Sequence, residues 1–152
     1  LTSINVLAEP YEGFQQTTAY RYQTSADDPG EYVQRMRVRA LMIPPGIPDF
    51  FTRRRHLEPG RVTVTGRAWS GSAPITRVEF AVDGNWRKAT LKAPVGDFAW
   101  REWAFDWDAT AGEHELACRA TDAAGNVQPL DAPWNYQGMG NNGVQRVPVT
   151  VG

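Results

Sequence analysis

Short segments of alternating polar and apolar residues, each closed by a turn, recur along most of the chain and constrain its fold more than any other feature. Such alternation places successive side chains on opposite faces of an extended strand. Six of these segments contain six to nine residues and are bounded by glycine, proline, aspartate or asparagine. They are Arg61–Trp69, Ile75–Asp83, Trp86–Leu91, Trp100–Asp108, His114–Thr121 and Val144–Val151. Together with a seventh segment, Glu31–Ile43, this spacing predicts an all-β, immunoglobulin-like β-sandwich of about seven strands.

The first 30 residues differ from the rest of the chain. Leu1–Leu7 and Ala19–Tyr22 are short extended pieces, and neither alternates long enough to bury a core of its own. We therefore predict an extended N-terminal arm over residues 1–30, which packs on something else, and a sandwich domain over residues 31–152. Because the chain starts at leucine without a signal-like segment, we expect it to be a fragment of a longer protein.

The segment Glu31–Ile43 predicts a strand with two contrasting faces. Arg35, Arg37 and Arg39 alternate with apolar residues such as Val38 and therefore share one face. Their guanidinium groups would stand about 6.6 Å apart, at a rise of about 3.3 Å per residue. This face is either solvated or contacts a carboxylate of a partner or of a neighbouring domain.

Charge and composition exclude several classes of function. The chain has 16 Lys+Arg against 17 Asp+Glu, so no positive field favours nucleic acid or an anionic surface. No apolar run is long enough for a membrane span, and we expect neither a nucleic-acid nor a membrane partner. Cys118, His56 and His114 have no metal-ligand spacing, and no catalytic triad, P-loop or dinucleotide motif is present. We therefore predict no metal site and no catalytic residue in this chain, and a buried structural role for Cys118.

The long connection between Thr121 and Gly143 shows neither the two-residue period of a strand nor the 3.6-residue period of a helix. Loops of this length are uncommon in compact domains unless they are functional or disordered, and its aromatic residues argue against disorder. The loop contains Trp134 and Tyr136, and the amides of Asn135, Gln137 and Asn142 could bind a ligand or the loop's own backbone. Self-packing and a binding surface remain open alternatives.

An ordered series of motifs resembles one known family. The series consists of Gly66-Arg67-Ala68-Trp69-Ser70-Gly71, Ile75–Gly84, Trp86, the cluster Trp100–Trp107, Arg119-Ala120-Thr121-Asp122, Gly125-Asn126-Val127-Gln128-Pro129 and Trp134-Asn135. Over roughly residues 33–151 the chain resembles the C-terminal dimerisation domain of the sulfite oxidase family of molybdenum enzymes. Residues 1–22 resemble the end of the preceding molybdopterin-binding domain in that family.

This resemblance implies a homodimer and a missing N-terminal catalytic domain that holds molybdenum on molybdopterin and oxidises sulfite or a related small species. The family's molybdenum ligand is a cysteine of that preceding domain, to which Cys118 does not correspond. We therefore expect no molybdenum bound to this chain alone and no turnover by it. Bacterial members of the family are often periplasmic, but these residues do not indicate where in the cell this protein lies.

The resemblance also implies candidate site residues. In sulfite oxidases the Trp-Asn motif is followed two residues later by an arginine that reaches the substrate pocket of the catalytic domain, and nitrate reductases have methionine there. Here that position is Gln137, so Trp134, Asn135 and Gln137 are the candidate substrate-pocket residues. A neutral amide binds an oxyanion less strongly than a guanidinium does, which predicts weaker sulfite binding. Arg35, Arg37 and Arg39 are the candidates for a dimer or interdomain contact.

A second hypothesis belongs to a different class. A free-standing immunoglobulin-like module could bind carbohydrate or peptide through tryptophan-rich strands. We expect instead that the tryptophans fill the sandwich and its dimer seam, because large aromatic side chains usually bury most of their surface. These are Trp69, Trp86, Trp100, Trp103 and Trp107.

Overall fold

The computed structural model describes all residues, Leu1–Gly152, and contains twelve strands and one short π-helical turn at Gln15–Ala19. The strands are β1 (Arg21–Tyr22), β2 (Glu31–Tyr32), β3 (Arg39–Met42), β4 (Ile47–Pro48), β5 (Arg55–Leu57), β6 (Gly60–Trp69), β7 (Ile75–Val82), β8 (Asn85–Lys88), β9 (Thr90–Leu91), β10 (Arg101–Ala109), β11 (Gly112–Asp122) and β12 (Gln145–Val151). No helix has the length and apolar character needed to cross a membrane.

The chain divides into two compact units. The arm unit contains Leu1–Gln34 and Trp134–Asn141, and the sandwich unit contains Arg35–Pro133 and Asn142–Gly152. Strands β1 and β2 pair antiparallel in the arm unit. The prediction of an arm over residues 1–30 and a domain over residues 31–152 stays a prediction.

The sandwich unit consists of two sheets. One has the strand order β3-β6-β10-β9, and the other has the order β4-β5-β12-β11-β7-β8. Neighbouring strands are antiparallel except for the parallel pair β5 and β12. This arrangement confirms the predicted all-β, immunoglobulin-like sandwich.

The core lies between the inner faces of the two sheets. Trp103 and Phe80 are its largest fully buried side chains, and their rings lie 6.2 Å apart between centroids. Trp103 stands opposite Gly66 on the neighbouring strand. A Cβ at Gly66 would lie 2.3 Å from the Trp103 ring, so only glycine allows the indole to lie flat against β6 at this point.

The predicted strand Glu31–Ile43 is wrong in its extent. Only Arg39–Met42 forms a strand in the sandwich unit, while Glu31–Tyr32 pairs with β1 in the arm unit. The reason is the length of the neighbouring strand: Arg39 pairs with Trp69, the last residue of β6, so the residues before Arg39 have no strand to bond. The alternation of half-buried and buried side chains is present from Arg37 onwards.

Two further predictions need correction. The predicted strand Trp86–Leu91 is two strands in different sheets, β8 and β9, because the chain crosses from one sheet to the other at the buried Ala89. Trp103 and Trp107 are buried in the sandwich as predicted, whereas Trp100 is 62% exposed in the single chain and does not fill the sandwich, so its place in a dimer seam stays a prediction. It lies against Trp69, with ring centroids 5.7 Å apart.

Candidate functional site

The long loop between β11 and β12 begins with a turn organised by Asp122. One carboxylate oxygen accepts hydrogen bonds from the backbone N–H groups of Ala124 and Asn126 at 3.0 and 2.9 Å. The other accepts the Ser70 hydroxyl at 2.8 Å and the Asn126 side-chain amide at 2.9 Å. Burial raises the pKa of Asp122, but these four hydrogen bonds outweigh it and leave the pKa below its usual value.

Three amide side chains then take the place of a strand along the outer edge of β3. Gln128 accepts the Ala40 N–H at 2.7 Å, and Gln145 accepts the Met42 N–H at 2.7 Å. Asn142 donates to the Val38 carbonyl at 3.1 Å. Val38, directly before β3, and Ala40 and Met42 within it are alternate positions, so the three amides bond backbone groups that face away from β6.

Gln128 also joins the two ends of the loop. The side chain of Gln128 is 1% exposed and donates to the Gly143 carbonyl at 3.0 Å, while its oxygen also lies 3.3 Å from the Ala120 N–H. Sequence reasoning named Asn142 as a loop amide and missed the roles of Gln128 and Gln145. The signal was weak, because a buried glutamine and an exposed one look the same in a sequence.

The segment Trp134–Asn141 belongs to the arm unit and is folded around Asn135. The side-chain oxygen Oδ1 of Asn135 accepts the N–H groups of Gln137 at 3.1 Å and Met139 at 2.9 Å. Its amide nitrogen lies 3.5 Å from the Arg21 carbonyl. Asn135 is buried and holds the turn, and therefore has a structural role in the described chain.

The residues around Asn135 bond to the segment that follows β1. Tyr136 N–H donates to the Gln23 carbonyl at 2.7 Å, and the Trp134 indole N–H donates to the Thr24 carbonyl at 3.2 Å. Gln137 donates from its side-chain amide to the Gln23 side chain at 3.1 Å. The segment around Gln137 is thus held by one backbone bond and two side-chain bonds, and Gln137 itself is exposed.

The partner segment of this loop is itself well ordered. Arg21 donates to the carbonyls of Thr17 at 2.7 Å and Gly30 at 3.2 Å, and its guanidinium stacks on Tyr32. Asp28 accepts the N–H and hydroxyl of Thr24 at 2.8 and 2.7 Å, and these bonds hold the pKa of Asp28 below its usual value. The arm unit therefore presents Gln137 from a fixed backbone.

The three candidate arginines do not form one uniform face. Arg35 is exposed and precedes the sandwich strands, while Arg37 and Arg39 are half-buried. Arg39 stands on β3 opposite Trp69. Their assignment to a dimer or interdomain contact stays a prediction.

Cys118 has the buried position that the sequence predicts. Its side chain is fully buried, and burial raises the pKa of its thiol to about 12. A metal ligand must be a thiolate, so this cysteine does not fit a molybdenum ligand. Across the described chain no cluster of three or more histidine, cysteine or acidic side chains has metal-binding geometry.

His114, to which the sequence assigned no role, joins two turns of the sandwich unit. The His114 ring nitrogens face the Asp83 carboxylate at 2.8 Å and the Thr110 carbonyl at 2.9 Å. Because both partners are acceptors, the doubly protonated ring satisfies both, and chiefly the bond to Asp83 raises the pKa of His114. Burial raises the pKa of Asp83, but its hydrogen bonds from His114 and the Glu115 N–H bring the net pKa below its usual value.

Comparisons with known proteins give a consistent result. The family described as the Mo-co oxidoreductase dimerisation domain matches residues 31–152. Human mitochondrial sulfite oxidase is 34% identical over 152 residues, covering 93% of this chain and 26% of that protein. Barley NADH nitrate reductase is 28% identical over 134 residues, covering 81% of this chain and 15% of that protein.

A solved structure supports the same assignment. The sulfane dehydrogenase SoxCD from Paracoccus pantotrophus superimposes with a TM-score of 0.73 at 26% identity, covering 89% of this chain and 36% of that one. The chain therefore spans about a quarter of the length of human sulfite oxidase and about a third of the SoxCD chain.

Proposed function

The chain belongs to the family of Mo-co oxidoreductase dimerisation domains, and on that basis we propose that it joins two copies of a sulfite oxidase-like molybdenum oxidoreductase into a homodimer. The observation that carries the proposal is the family match over residues 31–152, which includes every strand of the sandwich unit and the long loop. A homodimer of this kind buries the same surface of both subunits around a twofold axis.

Sedimentation equilibrium tests the dimer. We expect twice the mass of one chain at about 10 μM, because a standard interface buries about 1,600 Å² and persists at micromolar concentration. The measurement is made on this chain and on the intact protein that carries it. A single-chain mass for both would contradict the proposal.

The molybdenum cofactor is assigned to a separate catalytic domain of the intact protein. Cys118 does not fit as its ligand, for the reasons of burial and pKa given above. In that domain the cofactor would supply the two-electron oxidation chemistry, while this chain would supply the dimer contact and one loop. Its relatives are named for sulfite, nitrate and sulfane substrates, and a reduced sulfur compound is the substrate class we propose.

The loop that carries Trp134, Asn135 and Gln137 is the segment proposed to contribute to the substrate pocket. Asn135 holds the turn, Trp134 anchors it through its indole N–H, and the exposed amide of Gln137 is free to donate a second N–H to a substrate oxygen or sulfur. Neutral donors bind an anion about half as strongly as charged ones. The loop would therefore hold a dianion such as sulfite weakly and would suit a less charged sulfur substrate.

Substitution of Gln137 in the intact enzyme tests this role. Gln137→Arg adds a charged, bidentate donor, and we expect the KM for sulfite to fall about tenfold with a smaller change in kcat. Gln16→Arg is the matched control, because Gln16 is an exposed glutamine of the same unit without a side-chain hydrogen bond. An unchanged KM for sulfite in Gln137→Arg would remove Gln137 from the pocket.

Arg35, Arg37 and Arg39 are proposed to contact the partner subunit or the catalytic domain. Arg35 is the exposed member, so its guanidinium can reach a carboxylate of another chain without rearrangement. In the Arg35→Glu variant we expect a higher dimer dissociation constant or weaker association of the catalytic domain. If neither equilibrium changed, Arg35 would belong to the solvated surface.

The alternative function, a free-standing module that binds carbohydrate or peptide, has one observation in its favour. Trp100 is largely exposed and lies beside Trp69, a pairing that could stack on a sugar ring. Binding of soluble oligosaccharides with quenching of tryptophan fluorescence, lost in Trp100→Ala, would favour the module over the dimerisation domain.

A further inference from the structure

Strand β10 has an open edge because the chain changes sheets beside it. β8 pairs with β7 in the six-stranded sheet, and β9 pairs with β10 in the four-stranded sheet. β9 contributes only two residues, which stand opposite Trp103 and Ala104. The remainder of β10, from Phe105 to Ala109, therefore has β6 on one side and no strand on the other.

The register identifies the backbone groups that face this open side. Lys92 N–H donates to the Glu102 carbonyl at 2.9 Å, so the backbone of Glu102 points towards β9. Backbone direction alternates along an antiparallel strand. The N–H and C=O groups of Asp106 and Asp108 therefore point to the open side, while Phe105 and Trp107 bond to β6.

The opposite edge of the same sheet is closed. There the side chains of Gln128, Gln145 and Asn142 bond the outward-facing backbone groups of β3. No comparable side chain bonds the backbone of Asp106 or Asp108, since Arg61 and Thr63 bond only the carboxylate of Asp106. Proteins generally protect strand edges, and an unprotected one is a template for pairing with another chain.

A cleft of about 310 Å³ lies directly beside the open edge. Its apolar lining includes Phe80, Val82 and Phe105, and the rings of Phe80 and Phe105 stack at 4.8 Å between centroids. Asn85 and Arg87 of β8 stand opposite Val82 and Phe80, and both line the cleft. The volume accommodates one or two apolar side chains.

The charged side chains around the cleft leave one carboxylate, that of Asp108, without a salt-bridge partner. The carboxylates of Asp83, Asp106 and Asp108 lie on the rim of the cleft together with the side chains of Arg87 and His114. Asp106 is paired with Arg61 at 2.9 Å and Asp83 with His114 at 2.8 Å, whereas Asp108 forms no salt bridge. The side chains of Asp106 and Asp108 lie on the outer face of the sheet, opposite the face of Phe105.

We infer that this open edge and cleft bind an extended peptide segment of a partner protein by strand addition to β10. The backbone of Asp106 and Asp108 supplies the hydrogen bonds, and a large apolar side chain of the segment enters the cleft. Residues directly opposite each other in an antiparallel pair have side chains on the same face. A lysine or arginine of the segment therefore stands opposite Asp108, one position from the apolar side chain.

A designed peptide tests each part of this geometry. The probe is acetyl-Thr-Val-Lys-Phe-Lys-Val-Thr-amide, titrated into the isotope-labelled 152-residue chain and followed by amide chemical shifts. The phenylalanine would face the cleft, and the two lysines would stand opposite Asp108 and Asp106. We expect saturable shifts at the amides of Asp106 and Asp108 and slower hydrogen exchange there.

Backbone methylation of the probe separates strand addition from other modes of binding. The lysine N–H groups face β10, so methylating both lysine nitrogens should weaken binding about tenfold or more. Methylating the nitrogens of the phenylalanine and one valine adds the same two methyl groups on the solvent side and should weaken it less than about threefold. Equal effects of the two methylated peptides would overturn strand addition.

Variants of the chain provide the complementary test. Asp108→Pro removes an N–H that makes no bond to β6, and Asp108→Ala is the matched control that removes only the carboxylate. We expect Asp108→Pro to weaken binding at least about fivefold more than Asp108→Ala. The inference would be overturned if these amides showed no saturable shifts up to about 1 mM peptide. It would also be overturned if the spectra changed with protein concentration in a way that showed a second copy of this chain on the edge. If Asp108→Pro does not fold, the methylated peptides decide the question.

Discussion

Gln128 offers a direct test of how the edge of β3 is held. Its side chain is fully buried and bonds the Ala40 N–H at 2.7 Å and the Gly143 carbonyl at 3.0 Å. Gln128→Leu keeps the approximate size of the side chain and removes both of these bonds, together with the longer contact of 3.3 Å to the Ala120 N–H. Each buried backbone group left without a partner costs about 1–3 kcal/mol, so two of them cost about 2–6 kcal/mol. The added apolar burial offsets about 1 kcal/mol, and we expect a net loss of about 3 kcal/mol in the free energy of unfolding.

Urea unfolding, followed by tryptophan fluorescence and circular dichroism, measures this loss. A domain of this size has a total stability of about 5–15 kcal/mol, so the variant should still fold. Gln16→Leu makes the same substitution at an exposed position and should change the free energy of unfolding by less than about 0.5 kcal/mol. If Gln128→Leu cost less than about 1 kcal/mol, the side-chain amides would not be what stabilises the edge of β3.

Three further predictions follow from single groups. The pKa of His114 is higher in the folded chain than in the unfolded chain, where it is about 6.5. The bond from the protonated ring to Asp83 therefore stabilises the fold fully below a pH of about 6.5, and this stabilisation is lost as the pH rises through the folded-state pKa. The difference in unfolding free energy between the wild type and His114→Gln should therefore shrink between about pH 6 and pH 9, which is roughly the range over which such a histidine titrates. A difference that stays constant over this range would refute the contribution of the protonated ring to stability. Cys118, with a pKa of about 12, should react with iodoacetamide at neutral pH only after unfolding, as mass spectrometry would detect. Asp122→Ala removes four hydrogen bonds to one turn and should lower the midpoint of thermal unfolding by several degrees, roughly as a loss of 2 kcal/mol would; an unchanged midpoint would mean that the turn holds without it.

The strands of the sandwich were largely predictable because burial on one face imposes a period of two. Segments such as Ile75–Asp83 and His114–Thr121 alternate over their whole length, and the structure places strands there within one to two residues. Glu31–Ile43 alternates as well, yet only its last part is a strand. Strand formation requires a partner, and β6 ends at Trp69, opposite Arg39, which local sequence cannot reveal.

The candidate site was predictable in part. Trp134, Asn135 and Gln137 were identified from the motif they belong to, and the structure places them in one turn built on Asn135. Their contacts with residues such as Gln23 join positions more than 100 residues apart in sequence, and no local pattern predicts them. The same holds for the open edge of β10, which exists because β9 is short and the chain crosses between sheets at Ala89.

The most direct test of the account is the molybdenum content and mass of the intact protein that carries this chain, measured on the same purified sample. We expect a homodimer with about one molybdenum per polypeptide, because each subunit would hold one cofactor. A monomer, or a well-folded protein that contains no molybdenum, would contradict it.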